Sequence, residues 1–196
     1  MPTDSARARS VADTRKRILD VALEVLGQNS DAAMADIAAT AGVVRRTVYG
    51  HFPTRSDLVR TLAEQAVHEI AAVLTQVDAT DDAAEVVWVE FVARLWPLAR
   101  RYRVLLALRR GEYGEEIHAL LGPVDTILAD LVRRGQDSEV FGHHLPAELL
   151  SQLAYAAVFS VADYHLANGT LDVSAATLTS LLILGVPEPR ARGLVG

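Results

Sequence analysis

The chain has 196 residues, 51% of them hydrophobic, and a formal net charge of −6 at pH 7. That length suits one or two small domains with a real core, and no uninterrupted apolar run reaches the ~18 residues of a membrane span. Cysteine is absent, which excludes a disulfide framework and a thiolate metal site.

The charge is unevenly spread. Residues 1–60 hold nine Lys/Arg and seven Asp/Glu, a balance of +2, and residues 61–196 hold ten and eighteen, a balance of −8. Nucleic-acid binding needs a local basic face rather than a basic whole. An acidic remainder would leave only the N-terminal part to approach DNA.

Residues 1–12 are small, polar and basic, with Arg7 and Arg9. They read as a disordered basic arm, and they lack the apolar core of a secretory signal, so a cytoplasmic protein is expected. Asp13 is placed to cap a first helix running to about Gln28, with Ile18, Leu19, Ala22 and Leu26 as its apolar stripe. Arg15, Lys16 and Arg17 fall in its first turn, where the helix dipole disfavours cations. That placement makes sense beside a phosphate.

Residues 34–52 predict two short helices joined by a tight turn. Ile37, Ala38 and Ala41 line one face of the first. Gly42 follows, where a helix ends on a residue that tolerates positive φ, and Val43 fits the angle between the helices. Arg45, Arg46, Thr47, Tyr49 and His51 crowd the second, with Val48 and Phe52 on its inner side. This is the layout of a helix-turn-helix, whose second helix enters the DNA major groove. Arg45, Arg46 and Thr47 are the candidates for base edges, since Arg pairs with guanine and Thr is compact. Tyr49, His51 and Arg55 are candidates for phosphates, which position without specifying. Gly50 costs helix stability and permits close approach to the DNA backbone.

Thr54 is expected to cap a long linking helix to about Val77, followed by an acidic connector from Asp78 to Asp82. Five further helices are expected, at about 83–100, 103–110, 113–134, 146–168 and 173–184. Their breaks are marked by Gly111, the loop from Gly135 to Gly142, Pro146, and Asn168-Gly169. Pro97 should kink or end the first of them, and Gly122-Pro123 should split the third.

The segment from Leu149 to Leu166 is apolar on most of its circumference, which requires burial on two sides. Leu149, Leu153, Ala157 and Val161 on it, with Leu178, Leu181 and Leu182 on the last helix, form the expected interface with a second copy of the chain. Two-fold pairing also suits the reading of a palindromic site. Trp88, Phe91, Val92, Trp96, Tyr113, His118, Tyr155 and Phe159 are the candidates for a pocket taking a small hydrophobic molecule. Aromatics at helical spacing are more often plain core than ligand cage, and core packing is the weightier reading for any one of them. His143-His144 point apart and lack spaced partners, so no metal or cofactor is expected. No Ser/His/Asp set, phosphate loop or dinucleotide fingerprint supports catalysis.

Ala41-Gly42-Val43, Thr47, Tyr49, His51-Phe52, Arg55 and Leu58, with Arg17-Ile18-Leu19 and Ala22 upstream, resemble the DNA-binding segment of the tetracycline-repressor (TetR) family of regulators. The resemblance covers roughly residues 14–60. Two positions depart from the usual pattern: Val44 and Ala33 stand where that family commonly carries capping Ser or Thr, with Ser30 or Asp31 as substitute caps for the second. The resemblance implies an all-α fold. It would have an N-terminal three-helix DNA-binding domain (13–54), a linking helix (55–78) and a C-terminal helical domain (79–190) for effector binding and four-helix dimerisation. It also implies a homodimeric regulator, most often a repressor, with double-stranded DNA and a small-molecule effector as partners and no membrane. The rival expectations are an all-α enzyme, or a small-molecule-binding protein, with a coincidental helix-turn-helix, and a helix-turn-helix used only for protein contacts, against which the basic cluster at Arg45, Arg46 and Arg55 argues.

Overall fold

The computed structural model describes residues 4–78, 82–109 and 113–196, and the described residues are helical with no strand. In order, the helices are α1 (Asp4–Gln28), α2 (Met34–Thr40), α3 (Arg45–His51), α4 (Arg55–Asp78), α5 (Ala84–Arg101), α6 (Val104–Arg109), α7 (Gly114–Asp137), α8 (Ala147–Asn168), α9 (Val173–Ile183) and α10 (Glu188–Val195). The expected break at Gly111 and most of the acidic connector lie outside the described residues.

Two compact units emerge. One comprises residues 1–64 and 104–117, the other 65–103 and 118–196. The division falls inside α4 rather than at its start, and α6 with the first turn of α7 belongs to the N-terminal unit. The sequence placed both in the second domain.

In the N-terminal unit α1 packs on α2 and α6, and α2 on α3. Ile18, Leu19, Ala22 and Leu26 are buried with Met34, Ile37, Ala38, Val48, Phe52, Leu58 and Leu62. α1 starts at Asp4, so the arm expected to be disordered is helical from residue 4, and Asp13 is an interior residue rather than a cap. Ala6, Arg7, Ala8 and Arg9 are good helix formers, and neither Gly nor Pro interrupts the chain between Pro2 and Gly27.

In the C-terminal unit α8 and α9 pack together, and α5 packs on both. Leu150, Ala154, Val158 and Ala162, spaced four apart, form the inward face of α8. The indole N–H of Trp88 donates to Ser180 Oγ at 2.9 Å, which joins α5 to α9. α7 runs unbroken through Pro123. Gly122 has no Cβ to clash with the proline ring, and its carbonyl accepts from Thr126 Oγ1 at 3.0 Å. α5 likewise continues past Pro97 to Arg101, held by buried Leu95 and Ala99 on either side of it. α10 was not anticipated. It docks on α5 and α9 through buried Ala191 and an ion pair of Arg190 with the buried Glu85 carboxylate, at 2.5 Å.

The loop between α7 and α8 meets the turn between α9 and α10. Gly142 N–H donates to Leu184 O at 2.8 Å. Gly185 has φ +85°, and a Cβ there would stand 2.9 Å from Gly142 Cα.

Candidate nucleic-acid interface

The helix-turn-helix is built by its turn. Gly42 has φ +64°. Its N–H donates to Ala39 O at 3.2 Å and that of Val43 to Ala38 O at 3.0 Å. This paired closure of a helix C-terminus needs a left-handed residue, which glycine supplies without a steric cost. Buried Ala41 and half-buried Val43 fill the angle.

Both short helices begin without the usual hydroxyl cap. At α2 the substitute is neither Ser30 nor Asp31. The Asp36 carboxylate reaches back to accept from Ala33 N–H at 2.8 Å, an arrangement that needs no side chain at Ala33 itself. At α3 the Val44 side chain makes no cap and is 69% exposed. α4 starts on the expected Thr54. Its Oγ1 accepts from Asp57 N–H at 3.0 Å, and the Asp57 carboxylate accepts from Thr54 N–H at 2.9 Å. This reciprocal pair fixes the chain leaving α3.

Val48, fully buried, pins α3 to the unit, and the helical period turns Arg45, Arg46, Tyr49 and Gly50 outward. All four are exposed. Thr47 and His51 flank this arc and are half-buried, and His51 leans on Phe52 at 6.3 Å between ring centroids. The outer face of α3 therefore presents two guanidiniums, a phenol and a gap.

Arg55 is not on that face. Its Nη2 donates to the Ser30 carbonyl and its guanidinium carbon lies 5.9 Å from the Tyr113 ring centroid. The sequence offered Arg55 as a phosphate contact; in the structure its guanidinium is engaged inward. Sequence periodicity could not reveal it, because both partners are remote in the chain. Arg15 was read only as a cation near phosphate. It lies over the Phe52 ring at 5.0 Å and reaches Thr61 Oγ1 at 3.5 Å, which binds α1 to the end of α3 and to α4.

The pocket candidates divide. Trp88, Phe91, Tyr155 and Phe159 form a buried aromatic chain in the C-terminal unit. Successive centroids are 5.8, 6.5 and 4.9 Å apart, and Val92 is buried too. Trp96 is half-buried, its ring 5.8 Å from that of His165. Tyr113 stands apart from them, in the N-terminal unit beneath Arg55, and His118 is exposed.

The interface candidates divide as well. Leu149, Leu153 and Leu182 are exposed, and Ala157, Val161 and Leu178 are half-buried. Leu181 is fully buried and belongs to the core. It shares the inward face of α9 with Ala176, Thr177 and Ser180, and a helix apolar all round does not announce which face that is. Among the described residues no cluster of His, Asp and Glu is arranged to hold a metal. No described helix is long and apolar enough to cross a membrane.

Residues 18–62 match the model of the bacterial regulatory proteins of the tetR family. A stretch of 81 residues, 41% of the chain, is 42% identical to the HTH-type transcriptional repressor LfrR of Mycolicibacterium smegmatis, and spans 42% of that protein. The chain thus matches less than half the length of this curated relative. The crystal structure of the TetR-like regulator LfrR from Mycobacterium smegmatis in complex with proflavine is similar over 91% of this chain and 96% of that one. Its TM-score is 0.70 and its identity 25%. The MbdR regulator from Azoarcus sp. CIB is similar with TM-score 0.73 and 20% identity, over 89% of this chain and 98% of that one; at that identity the likeness shows the fold.

Proposed function

We propose that the chain, whose residues 18–62 match the tetR family of bacterial regulatory proteins, is a cytoplasmic, homodimeric transcriptional repressor that binds a palindromic operator and releases it on binding a small hydrophobic molecule. The observation that carries the DNA-binding reading is the outer arc of α3. Arg45, Arg46, Tyr49 and Gly50 are exposed together on a helix held by Val48. Arg45 and Arg46 offer forked donors to guanine O6 and N7. Tyr49 offers a hydroxyl to phosphate, and Gly50 lets the sugar-phosphate chain come close.

Pairing of two copies is supported by the outward face of α8 and α9. Leu149, Leu153 and Leu182 are exposed there beside Ala157, Val161 and Leu178, and apolar side chains gathered on the outer faces of two packed helices mark a protein surface to be covered. An effector site in the C-terminal unit is supported by the aromatic chain from Trp88 to Phe159. The related LfrR structure holds proflavine, so planar aromatic compounds are the first effector probes. Retention of genomic DNA fragments by the immobilised protein, followed by gel shift on the enriched fragments with and without such a compound, tests the whole reading. Absence of any enriched fragment overturns it.

A further inference from the structure

α3 has two positions at which the residue is a poor choice for its own fold. At its N-cap, Ser, Thr, Asp or Asn would satisfy a free backbone N–H. Val44 satisfies none and is 69% exposed, the most exposed large apolar residue among the described residues. In its last turn, Gly50 stands in open space where a Cβ would meet nothing within 4 Å, so no packing within the chain calls for a glycine. Local choices that conflict with the fold and are not compensated inside the molecule are expected where something outside it compensates. Here both lie on the helix that meets DNA.

We propose that Val44 is a specificity-determining residue that reads the 5-methyl group of a thymine in the major groove, next to the base pairs read by Arg45 and Arg46. This rests on the DNA-binding function proposed above. The N-terminal end of a recognition helix is the part that meets base edges. In the major groove the one apolar group on a base edge is the thymine methyl, which apolar side chains contact. A valine offers two methyls and no hydrogen-bonding atom, so it discriminates thymine from cytosine without competing for the donors and acceptors that the arginines use. The exposed isopropyl group is then buried only in the complex.

The test uses the full-length protein and an operator fragment enriched from genomic DNA. Each thymine of the half-site is replaced in turn by uracil, which removes the methyl and nothing else. The expected result is a loss of about fourfold in affinity per half-site at one thymine, the ~0.8 kcal/mol of one buried methyl-sized group. Val44→Ser should abolish that one penalty, leave the other positions unchanged, and raise the melting temperature by capping α3. Should Val44→Ser not fold, Val44→Ala serves the same comparison. Uracil tolerated at every thymine by the wild-type protein, or an undiminished penalty in the Val44 variants, overturns the assignment. A protein that retains no DNA fragment at all overturns the proposed function itself.

Discussion

The Arg55 guanidinium lies over the Tyr113 ring, its carbon 5.9 Å from the ring centroid, and the same guanidinium donates to the Ser30 carbonyl. One side chain at the start of α4 thus holds the loop before α2 and the residue preceding α7. A charged hydrogen bond contributes about 1.5–3 kcal/mol and a cation over a ring about 0.5–1 kcal/mol at a partly exposed site.

Arg55→Ala should therefore lower unfolding free energy by about 2 kcal/mol. The salt dependence of DNA binding should stay as in the wild type. A phosphate contact would instead reduce the slope by about one per arginine removed. Chemical denaturation and binding titrations at several salt concentrations distinguish the two outcomes.

Arg46→Ala should weaken operator binding by about 1–3 kcal/mol and relax preference at one base position. Binding of the variant to a randomised half-site library measures this, and uniform weakening across the library would assign Arg46 to phosphate instead.

Gly50→Ala should move stability and function in opposite directions. Its Cβ enters open space, so the helix gains about 0.5–1 kcal/mol, seen as a higher melting temperature. The same methyl obstructs the approaching backbone of DNA and should reduce affinity for all sequences alike.

Leu181 and Leu182 are neighbours with opposite fates, 0% and 42% exposed. Leu181→Ala should cost about 2–5 kcal/mol of stability through the cavity it leaves while sedimentation still reports a dimer. Leu182→Asp should leave the monomer folded and disrupt self-association. A dimer that survives Leu182→Asp would refute the interface proposed on α8 and α9.

Glu148 accepts from its own backbone N–H and, at 2.6 Å, from Arg133, and these hold its carboxyl below the ordinary value of 4.5. A carboxyl whose folded pKa is lowered contributes stability above its unfolded pKa and loses it as pH falls through the folded value. The contribution of Glu148 should be complete well above pH 4.5 and fall away progressively below it, as pH drops through the lowered folded value. Glu148→Gln should remove it, which unfolding curves at pH 3 and pH 6 would reveal as a smaller difference than in the wild type. The pair is solvent-exposed, so the effect is small.

The helix-turn-helix was legible in sequence because its determinants are local. Gly42 needs a left-handed backbone, and Ile37, Ala38, Ala41 and Val48 follow a helical period. The same holds for Thr54 with Asp57, three residues apart. What was not legible depends on residues distant in the chain. Nothing near Arg55 announces Ser30 or Tyr113, and nothing near Glu85 announces Arg190, the ion pair that seats α10. Pro97 and Pro123 misled for a related reason. A proline removes one backbone bond, and burial of the flanking turns outweighs that loss. For α9, apolar on all sides, periodicity carries no information about facing. The position of Leu181 against Leu182 is set by packing of α9 on α5, α8 and α10, with the Trp88–Ser180 bond across the core among those contacts.

The close approach of Gly142 to Gly185 has a consequence for recombining this chain with its relatives. A backbone-to-backbone contact leaves no side chain that could be trimmed to relieve a misfit. The segment joining α7 to α8 and the turn joining α9 to α10 are therefore inherited as a matched set. A chimera that exchanges residues 138–146 alone will place a foreign backbone against Gly185, and one that exchanges both segments together will not. Crossover points for swaps of the C-terminal unit belong before α7 or inside α8 only when the α9–α10 turn travels with the loop it meets.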